Sequence, residues 1–210
     1  MEEPKSKNIQ ETSSLRQPTE DQRGAVKADL ISKIKATFDN VTEKDHDGNR
    51  LDFYVDKKMI PQLLTHFKVN EGFIHLSHIS CVDWLEEGEF EIIYILWSPK
   101  DKIKVFVRTR VERENPVMPN IDMIWRQANT YEREMREMYG IEFDGLVGER
   151  EFVLEDWEGM PPMRRDFDTE AYADETFWQR PGREDAMDVR EAIIERSREE
   201  IPDFAKKYSR

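Results

Sequence analysis

The fold is decided by residues 73–111, which read FIHLSHISCVDWLEEGEFEIIYILWSPKDKIKVFVRTRV. The stretch begins with a strand of mixed polarity and continues through an apolar central strand at residues 90–97. It ends in a strand at residues 103–111, where apolar side chains alternate with basic ones. Short turns rich in Glu, Gly, Pro and Lys separate the strands, and connections this short join antiparallel neighbours. The stretch therefore predicts an antiparallel meander.

Helical patterns lie on both sides of this meander. Val26, Leu30, Ile34 and Phe38 recur at steps of four, which predicts a helix beginning near Asp21. Further elements are predicted from periodicity and from Pro and Gly boundaries: a strand at residues 51–55 and helices at residues 57–67 and 121–138. The predicted fold class is α+β, with a mixed, mainly antiparallel sheet that packs against helices and is followed by an extended C-terminal arm.

Composition divides the chain into three parts. Residues 1–20 are polar and predict a disordered tail, and residues 21–145 carry the α/β domain. Residues 146–210 are acidic, bear aromatic side chains and have few aliphatic residues, so we predict an extended arm with a short helix near residues 186–200.

The net charge and the length of the apolar runs argue against two broad classes of protein, nucleic-acid-binding proteins and integral membrane proteins. Lys and Arg total 32 against 45 Asp and Glu, for a net charge of −13, which argues against general nucleic-acid binding. The longest apolar run, residues 92–97, is far shorter than a membrane-spanning helix. The single cysteine, Cys81, permits no internal disulfide, and the first residues lack an apolar segment. We therefore expect a cytosolic chain without a secretory signal.

Glu132 stands out because it falls within the apolar face of the third helix, about 20° from Ile121 on a helical projection. A buried carboxylate needs a partner. One interpretation makes Glu132 a general acid or base, with Glu134, in a hydrolase or isomerase, although the two residues lie on nearly opposite helix faces. The favoured interpretation is a structural ion pair with Arg150, Arg164 or Arg165.

Metal and nucleotide motifs are not apparent. His75 and His78 are three residues apart in a predicted strand, so we expect them on opposite faces. Gly140, Gly145 and Gly148 match neither a P-loop nor a dinucleotide fingerprint. We therefore predict no catalytic, cofactor-binding or metal-binding residues in this chain.

The aromatic and methionine side chains of the arm are typical of an interface. A turn-rich segment that carries such anchors predicts an arm lying on another protein, although a small local core remains the alternative. The candidate partner-contact residues are Met160, Met163, Phe167, Tyr172, Phe177 and Trp178.

Two motifs in the second half of the chain resemble a known family. Residues 131–141 read YEREMREMYGI, and residues 154–159 and 162–167 read LEDWEG and PMRRDF. In this order and spacing they resemble the signatures of the C-type subunits of complex I, the thirty-kilodalton-type subunits of the peripheral arm of NADH dehydrogenase. The motif residues, taken as structural, are Glu132, Arg133, Glu134, Glu137, Gly140, Trp157, Pro162, Arg164, Arg165 and Asp166.

The resemblance implies a non-catalytic, structural subunit of an ion-translocating membrane oxidoreductase. It implies that this chain binds no cofactor and that iron–sulfur clusters and a nickel–iron centre would belong to partners. Those partners would be a large subunit related to nickel–iron hydrogenases, a cluster-bearing small subunit and, indirectly, antiporter-like membrane subunits. The expected location is peripheral, on the cytoplasmic face of the cell membrane.

Departures from the respiratory signature favour one branch of the family. Tyr131, Glu137 and Leu146 stand where the respiratory enzymes commonly carry Trp, Asp and His. These differences favour the membrane-bound hydrogenase or sulfur-reducing relatives, with the C-type subunit of an NADH:quinone oxidoreductase or a stand-alone adaptor as alternatives. We expect Glu132 to pair with an arginine of the second motif and the arm to clamp the large subunit.

Overall fold

The computed structural model describes residues 20–46, 48–147 and 151–176. Residues 1–19 of the predicted disordered tail, the predicted helix near residues 186–200 and the candidate contacts Phe177 and Trp178 lie outside the described residues.

A five-stranded sheet forms the centre of the fold. Its strands are β1 (Thr42–Asp45), β2 (Arg50–Tyr54), β3 (His75–Trp84), β4 (Glu89–Ser98) and β5 (Ile103–Glu112). The spatial order is β1-β2-β5-β4-β3, in which β2 and β5 pair in parallel and every other pair is antiparallel. The predicted meander and the mixed, mainly antiparallel sheet are confirmed.

Two helices bury their apolar stripes in the core of the sheet. These are α1 (Glu20–Thr37) and α2 (Ile60–Val69), the latter preceded by a short 3₁₀ turn. The rings of Phe53 on β2 and Phe67 on α2 lie 5.5 Å apart, and Leu30 and Ile34 of α1 join the same cluster. The apolar side chains that recur every four residues in α1 and every two residues in the strands therefore pack into one core.

The opposite face of the sheet carries a buried ionic network. Asp52 accepts hydrogen bonds from Arg50 Nε at 2.6 Å and Arg108 Nε at 2.7 Å, and Arg108 also reaches Glu91. Burial raises the pKa of Asp52, but the two guanidinium groups outweigh burial and lower it. Arg50 also lies 4.3 Å above the Phe106 ring, so long polar side chains shield this face.

The third helix, α3 (Ala128–Tyr139), begins later than the sequence predicted. Residues 121–127 form turns, so the predicted start near Ile121 is wrong. Trp125 Nε1 donates to the Ile74 carbonyl at 3.0 Å, and the Gln127 amide donates to the Leu76 carbonyl. These tertiary bonds hold the segment against the start of β3 and override its helical pattern.

A β-bulge also overturns the prediction for the two histidines. The pairing of β3 with β4 shifts register between Leu76 and His78, so His75 faces Trp97 and His78 faces Ile95. Because Trp97 and Ile95 are two apart on one strand, both histidines lie on the same sheet face, and both are exposed. The extra residue in the bulge corrects the predicted opposite orientation.

Contacts divide the chain into two units, residues 1–166 and 167–210. The first unit ends about twenty residues beyond the predicted domain boundary at residue 145, and it also contains a small parallel sheet of β6 (Val117–Pro119) and β7 (Glu142–Asp144). In the second unit, the described residues form the short helix α4 (Thr169–Thr176), and the Phe167 and Tyr172 rings lie 5.5 Å apart.

Candidate functional site

Glu132 lies in the core, fully buried on α3, as its position on the apolar face predicted. Its Oε1 atom accepts a hydrogen bond from the Ile121 backbone N–H at 2.8 Å. The expected ion pair is wrong for Arg164 and Arg165, which bind other groups described below, and Arg150 lies outside the described residues. The hydrogen-bond donor to this carboxylate is a backbone N–H group. Because every residue except proline has such a group, the sequence does not indicate which one will be the donor.

Burial raises the pKa of Glu132 to about 7, against the hydrogen bond from Ile121, and the neighbouring charge of Asp122 adds to the increase. Glu134 is exposed on the same helix. The two carboxylates therefore do not converge on one site, as their helical positions predicted.

Glu137 attaches a later segment to the end of α3. Residues 151–166 are here called the strap. The Glu137 carboxylate accepts hydrogen bonds from the consecutive backbone N–H groups of residues 152–154, including 2.8 Å from Val153 and 3.1 Å from Leu154. Burial raises the pKa of Glu137, but these three donors outweigh it and the net pKa is lowered. The first motif thus binds the strap through an ionised carboxylate.

Gly140 ends α3 at a close contact with the strap. Its φ of 76° is in the left-handed region, and a Cβ atom there would lie 3.0 Å from Arg164 Nη2 and 3.1 Å from Pro161 Cγ. Arg164 Nε donates to the Tyr139 carbonyl at 2.7 Å, and the Met163 N–H donates to the Met138 carbonyl at 3.0 Å. Glycine is therefore required both for the backbone conformation and for the approach of the strap.

A buried carboxylate that the sequence reading missed receives the end of the strap. Asp83 on β3 accepts two bonds from Arg113, at 2.9 and 3.2 Å, and one from the Arg165 backbone N–H at 2.9 Å. Arg113 also contacts Asp166, and Arg165 pairs with Glu86 at 2.8 Å. Asp83 shares the buried face of β3 with Ile79. That alternation is the signal that could have identified it.

The outer surface of the strap exposes apolar side chains among charged ones. Trp157 Nε1 donates to the Met160 carbonyl at 3.2 Å, which folds the strap on itself, while Arg133 lies 4.9 Å below the Phe152 ring. The exposed apolar side chains of the strap are Phe152, Val153, Met160 and Met163, at 39%, 54%, 44% and 55% exposure. The candidate partner-contact residues that lie in the first unit, Met160 and Met163, are therefore exposed to solvent. Motif residues such as Glu137 and Arg164 make the hydrogen bonds on the inner side of the strap.

The contact region between α3 and the strap contains neither the open cleft of the first unit nor a metal-ligand cluster among the described residues. An open cleft of about 640 Å³ is lined by Asp122, Met123, Arg126, Asn129 and Val147, none of which is a motif residue. Within residues 20–46, 48–147 and 151–176, no three His, Cys, Asp or Glu side chains are placed to hold a metal ion. No helix in the described part of the chain is long and apolar enough to cross a membrane.

Comparison with protein families gives a match over the region that contains both motifs. The model described as "Respiratory-chain NADH dehydrogenase, 30 Kd subunit" matches residues 53–173. This range includes strands β3–β5, helix α3 and the strap.

Curated relatives carry related names. The C-type subunit of the F(420)H(2) dehydrogenase of Methanosarcina mazei is 31% identical over 120 residues, covering 57% of this chain and 76% of the relative. A C-type subunit of the NADH-quinone oxidoreductase of Rhizobium meliloti is 40% identical over 105 residues, covering 49% of this chain and 56% of the relative. The match covers only 23% of a C/D-type subunit from Aquifex aeolicus, at 27% identity and 65% of this chain.

Two solved structures share the fold. A chain of the membrane-bound sulfane sulfur reductase, an archaeal respiratory membrane complex, superposes with a TM-score of 0.67 at 30% identity, covering 72% of this chain and 91% of that one. A trypsin-resistant fragment of Nqo5 gives a TM-score of 0.51 at 26% identity, covering 59% of this chain and 98% of the fragment.

Proposed function

Because the chain belongs to the family of the 30 kDa subunit of respiratory-chain NADH dehydrogenase, we propose that it is a structural subunit of a respiratory membrane complex. In that role it binds a large subunit related to nickel–iron hydrogenases, beside a cluster-bearing small subunit. Its position is peripheral, on the cytoplasmic face of the membrane, and its contact with antiporter-like membrane subunits is indirect. The chain contributes a binding surface, and the redox centres belong to its partners.

The observation that carries this proposal is the construction of the strap. Hydrogen bonds to Glu137, to the last turn of α3 and to Asp83 of β3 fix its inner side. Its outer side exposes Met160 and Met163. Apolar side chains that are held rigid and exposed favour binding to another protein, because little conformational freedom is lost when they are covered.

The sulfur-reducing or hydrogenase branch is favoured over the quinone-reducing branch. The superposition on a chain of the membrane-bound sulfane sulfur reductase supports this choice. The NADH-quinone oxidoreductase names of other relatives support the alternative, the C-type subunit of a quinone-reducing enzyme. The cofactors of the companion chains would distinguish the two.

The proposal is tested by purifying the tagged full-length chain from its native membranes in mild detergent and identifying its companions by mass spectrometry. We expect a hydrogenase-like large subunit and a cluster-bearing small subunit. The double variant Met160→Glu with Met163→Glu should recover at least tenfold less of the large subunit, because it places two charges on the apolar surface.

Val69→Glu is the matched control, since Val69 is 73% exposed at the end of α2, away from the strap. This variant should recover the companions as the unaltered chain does. Recovery of the unaltered chain alone would contradict the proposed complex. Equal recovery by the double variant would contradict the role of the strap surface.

A further inference from the structure

Among the buried side-chain polar atoms that have no hydrogen-bond partner within the described residues, two belong to residues that are completely inaccessible to solvent. They are Glu132 Oε2 on α3 and Tyr94 Oη on β4, and both residues are 0% exposed. The Glu132 charge adds to the effect of burial in raising the pKa of Tyr94, so the two groups interact across the space between helix and sheet. Buried polar atoms are nearly always paired, so this arrangement calls for an explanation.

No cation among the described residues neutralises Glu132. The residue just before α3, Asp122, contributes a further negative charge. On β3, His75 is exposed, and the other titratable side chains interact with other groups: His78 with Tyr131, Cys81 with Tyr139, and Asp83 with Arg113. On β7, Glu142 and Asp144 are exposed. An ionised Glu132 would therefore be a buried anion with only one backbone donor.

We propose that Glu132 and Tyr94 form a buried proton-holding site, in which a neutral Glu132 carboxyl group keeps residues 121–127 closed over the core. The neutral group has a hydrogen on Oε2, and one bridging water molecule carries the hydrogen bond from this group to Tyr94 Oη. Its other oxygen keeps the bond to Ile121. Both unpaired atoms are then satisfied without a cation. On deprotonation the proton passes to solvent.

Opening of residues 121–127 is the response that the fold permits when the proton leaves. This segment consists of turns, and Met123 within it is 94% exposed. Lys68, Trp125 and Gln127 make the hydrogen bonds that hold its later residues, so the opening begins at Ile121, where Glu132 holds the backbone. Its displacement would bring water to Glu132 while the five strands stay paired. The pKa of about 7 places the transition near neutral pH. The site thus makes the covering segment sensitive to small changes of pH around neutrality.

The first experiment follows the side-chain carboxyl carbons of the full-length chain by NMR between pH 4 and 9. We expect the Glu132 signal, assigned by its loss in Glu132→Gln, to titrate near pH 7, far above ordinary glutamates. Amide exchange of Ile121, corrected for the intrinsic rate, should lose at least tenfold protection between pH 6 and pH 8.5. Glu132→Gln, which has no proton to release, should abolish that loss.

Glu134→Gln is the control, because it changes an exposed carboxyl group on the same helix and should leave both readouts unaltered. Tyr94→Phe removes the hydroxyl partner and should shift the Glu132 titration without changing the other glutamates. A Glu132 carbon that titrates near pH 4.5 would refute the proposal. The carbon titration is measured on the unaltered chain, so the test stands even if a variant fails to fold.

Discussion

At the scale of single residues, four of the motif positions divide into two groups by what they contact. Glu137, Gly140 and Arg164 act at the junction with the strap, where each either donates to the backbone, accepts from it or leaves room for it. Glu132 acts inside the first unit, where it holds the N–H of Ile121. The contacts of these residues within the chain are therefore sufficient to account for them, without a contact to a partner protein.

Gly140→Ala should destabilise the chain more than the same change at another left-handed glycine. At Gly88, with φ of 70°, an added Cβ meets nothing within 4 Å, so Gly88→Ala should cost only about 1 kcal/mol of unfolding free energy. At Gly140 the Cβ also meets Arg164 and Pro161, and the loss should reach about 2–3 kcal/mol. Urea unfolding of both variants measures the difference. Equal losses of unfolding free energy would show that Arg164 and Pro161 move aside for the added methyl group at no cost.

At the scale of elements, α3 and the strap form one unit of structure through a carboxylate and three consecutive N–H groups. Such a set of donors resembles an anion-binding turn, except that the anion is supplied by the chain itself. The start of the strap therefore depends on the ionisation of Glu137.

Acid should release the start of the strap before the sheet unfolds. The pKa of Glu137 is lowered in the folded chain, so its stabilising contribution is complete above the ordinary value near 4.5 and is lost as pH falls through the lowered one. Corrected amide protection at Val153 and Leu154 should therefore be lost only as the pH falls below the ordinary glutamate pKa near 4.5. Glu137→Gln should show the same loss already at pH 7, whereas Glu134→Gln should not. Unchanged protection in Glu137→Gln would assign the order of these amides to other contacts.

The extent of successful prediction also differs among elements. The meander could be predicted because apolar and polar side chains alternate over short stretches within residues 73–111. The burial of Glu132 followed from its position on the apolar face of a helix. The start of α3 could not be predicted, since the Trp125 and Gln127 bonds to β3 join residues 51 apart in sequence. Nor could the orientation of His75 and His78, because a one-residue bulge leaves no mark in composition.

At the scale of the whole molecule, the first unit is complete only at Asp166. The strap supplies backbone and side-chain contacts to β3, α3 and Arg113, and the second unit begins at Phe167. Both family motifs, apart from the final Phe167 of the second one, thus belong to one compact unit. The predicted arm contains one segment that is part of this unit and another that begins beyond it.

Two truncations should therefore behave differently. A chain ending at Asp166 keeps every contact of the strap and should unfold cooperatively, within about 1 kcal/mol of the first unit in the full chain. A chain ending at Val147 loses the strap groups that bind Glu137, Tyr139 and Asp83, and should be less stable by about 2–4 kcal/mol. Chemical denaturation followed by tryptophan fluorescence and circular dichroism compares them. Matching midpoints for the two truncations would show that the strap does not contribute to stability.

The bond from the Arg165 N–H to Asp83 joins residues 82 positions apart, and it has a consequence for how the chain is made. A ribosome completes β3 well before it reaches the strap, so the emerging polypeptide carries Asp83 and Glu137 before their last partners exist. The segment that exposes Met160 and Met163 can form its bonds to Asp83 and Glu137 only once it has been translated. A companion protein that recognises this surface would therefore bind finished first units and pass over nascent ones, so the order of synthesis itself would act as a check on assembly.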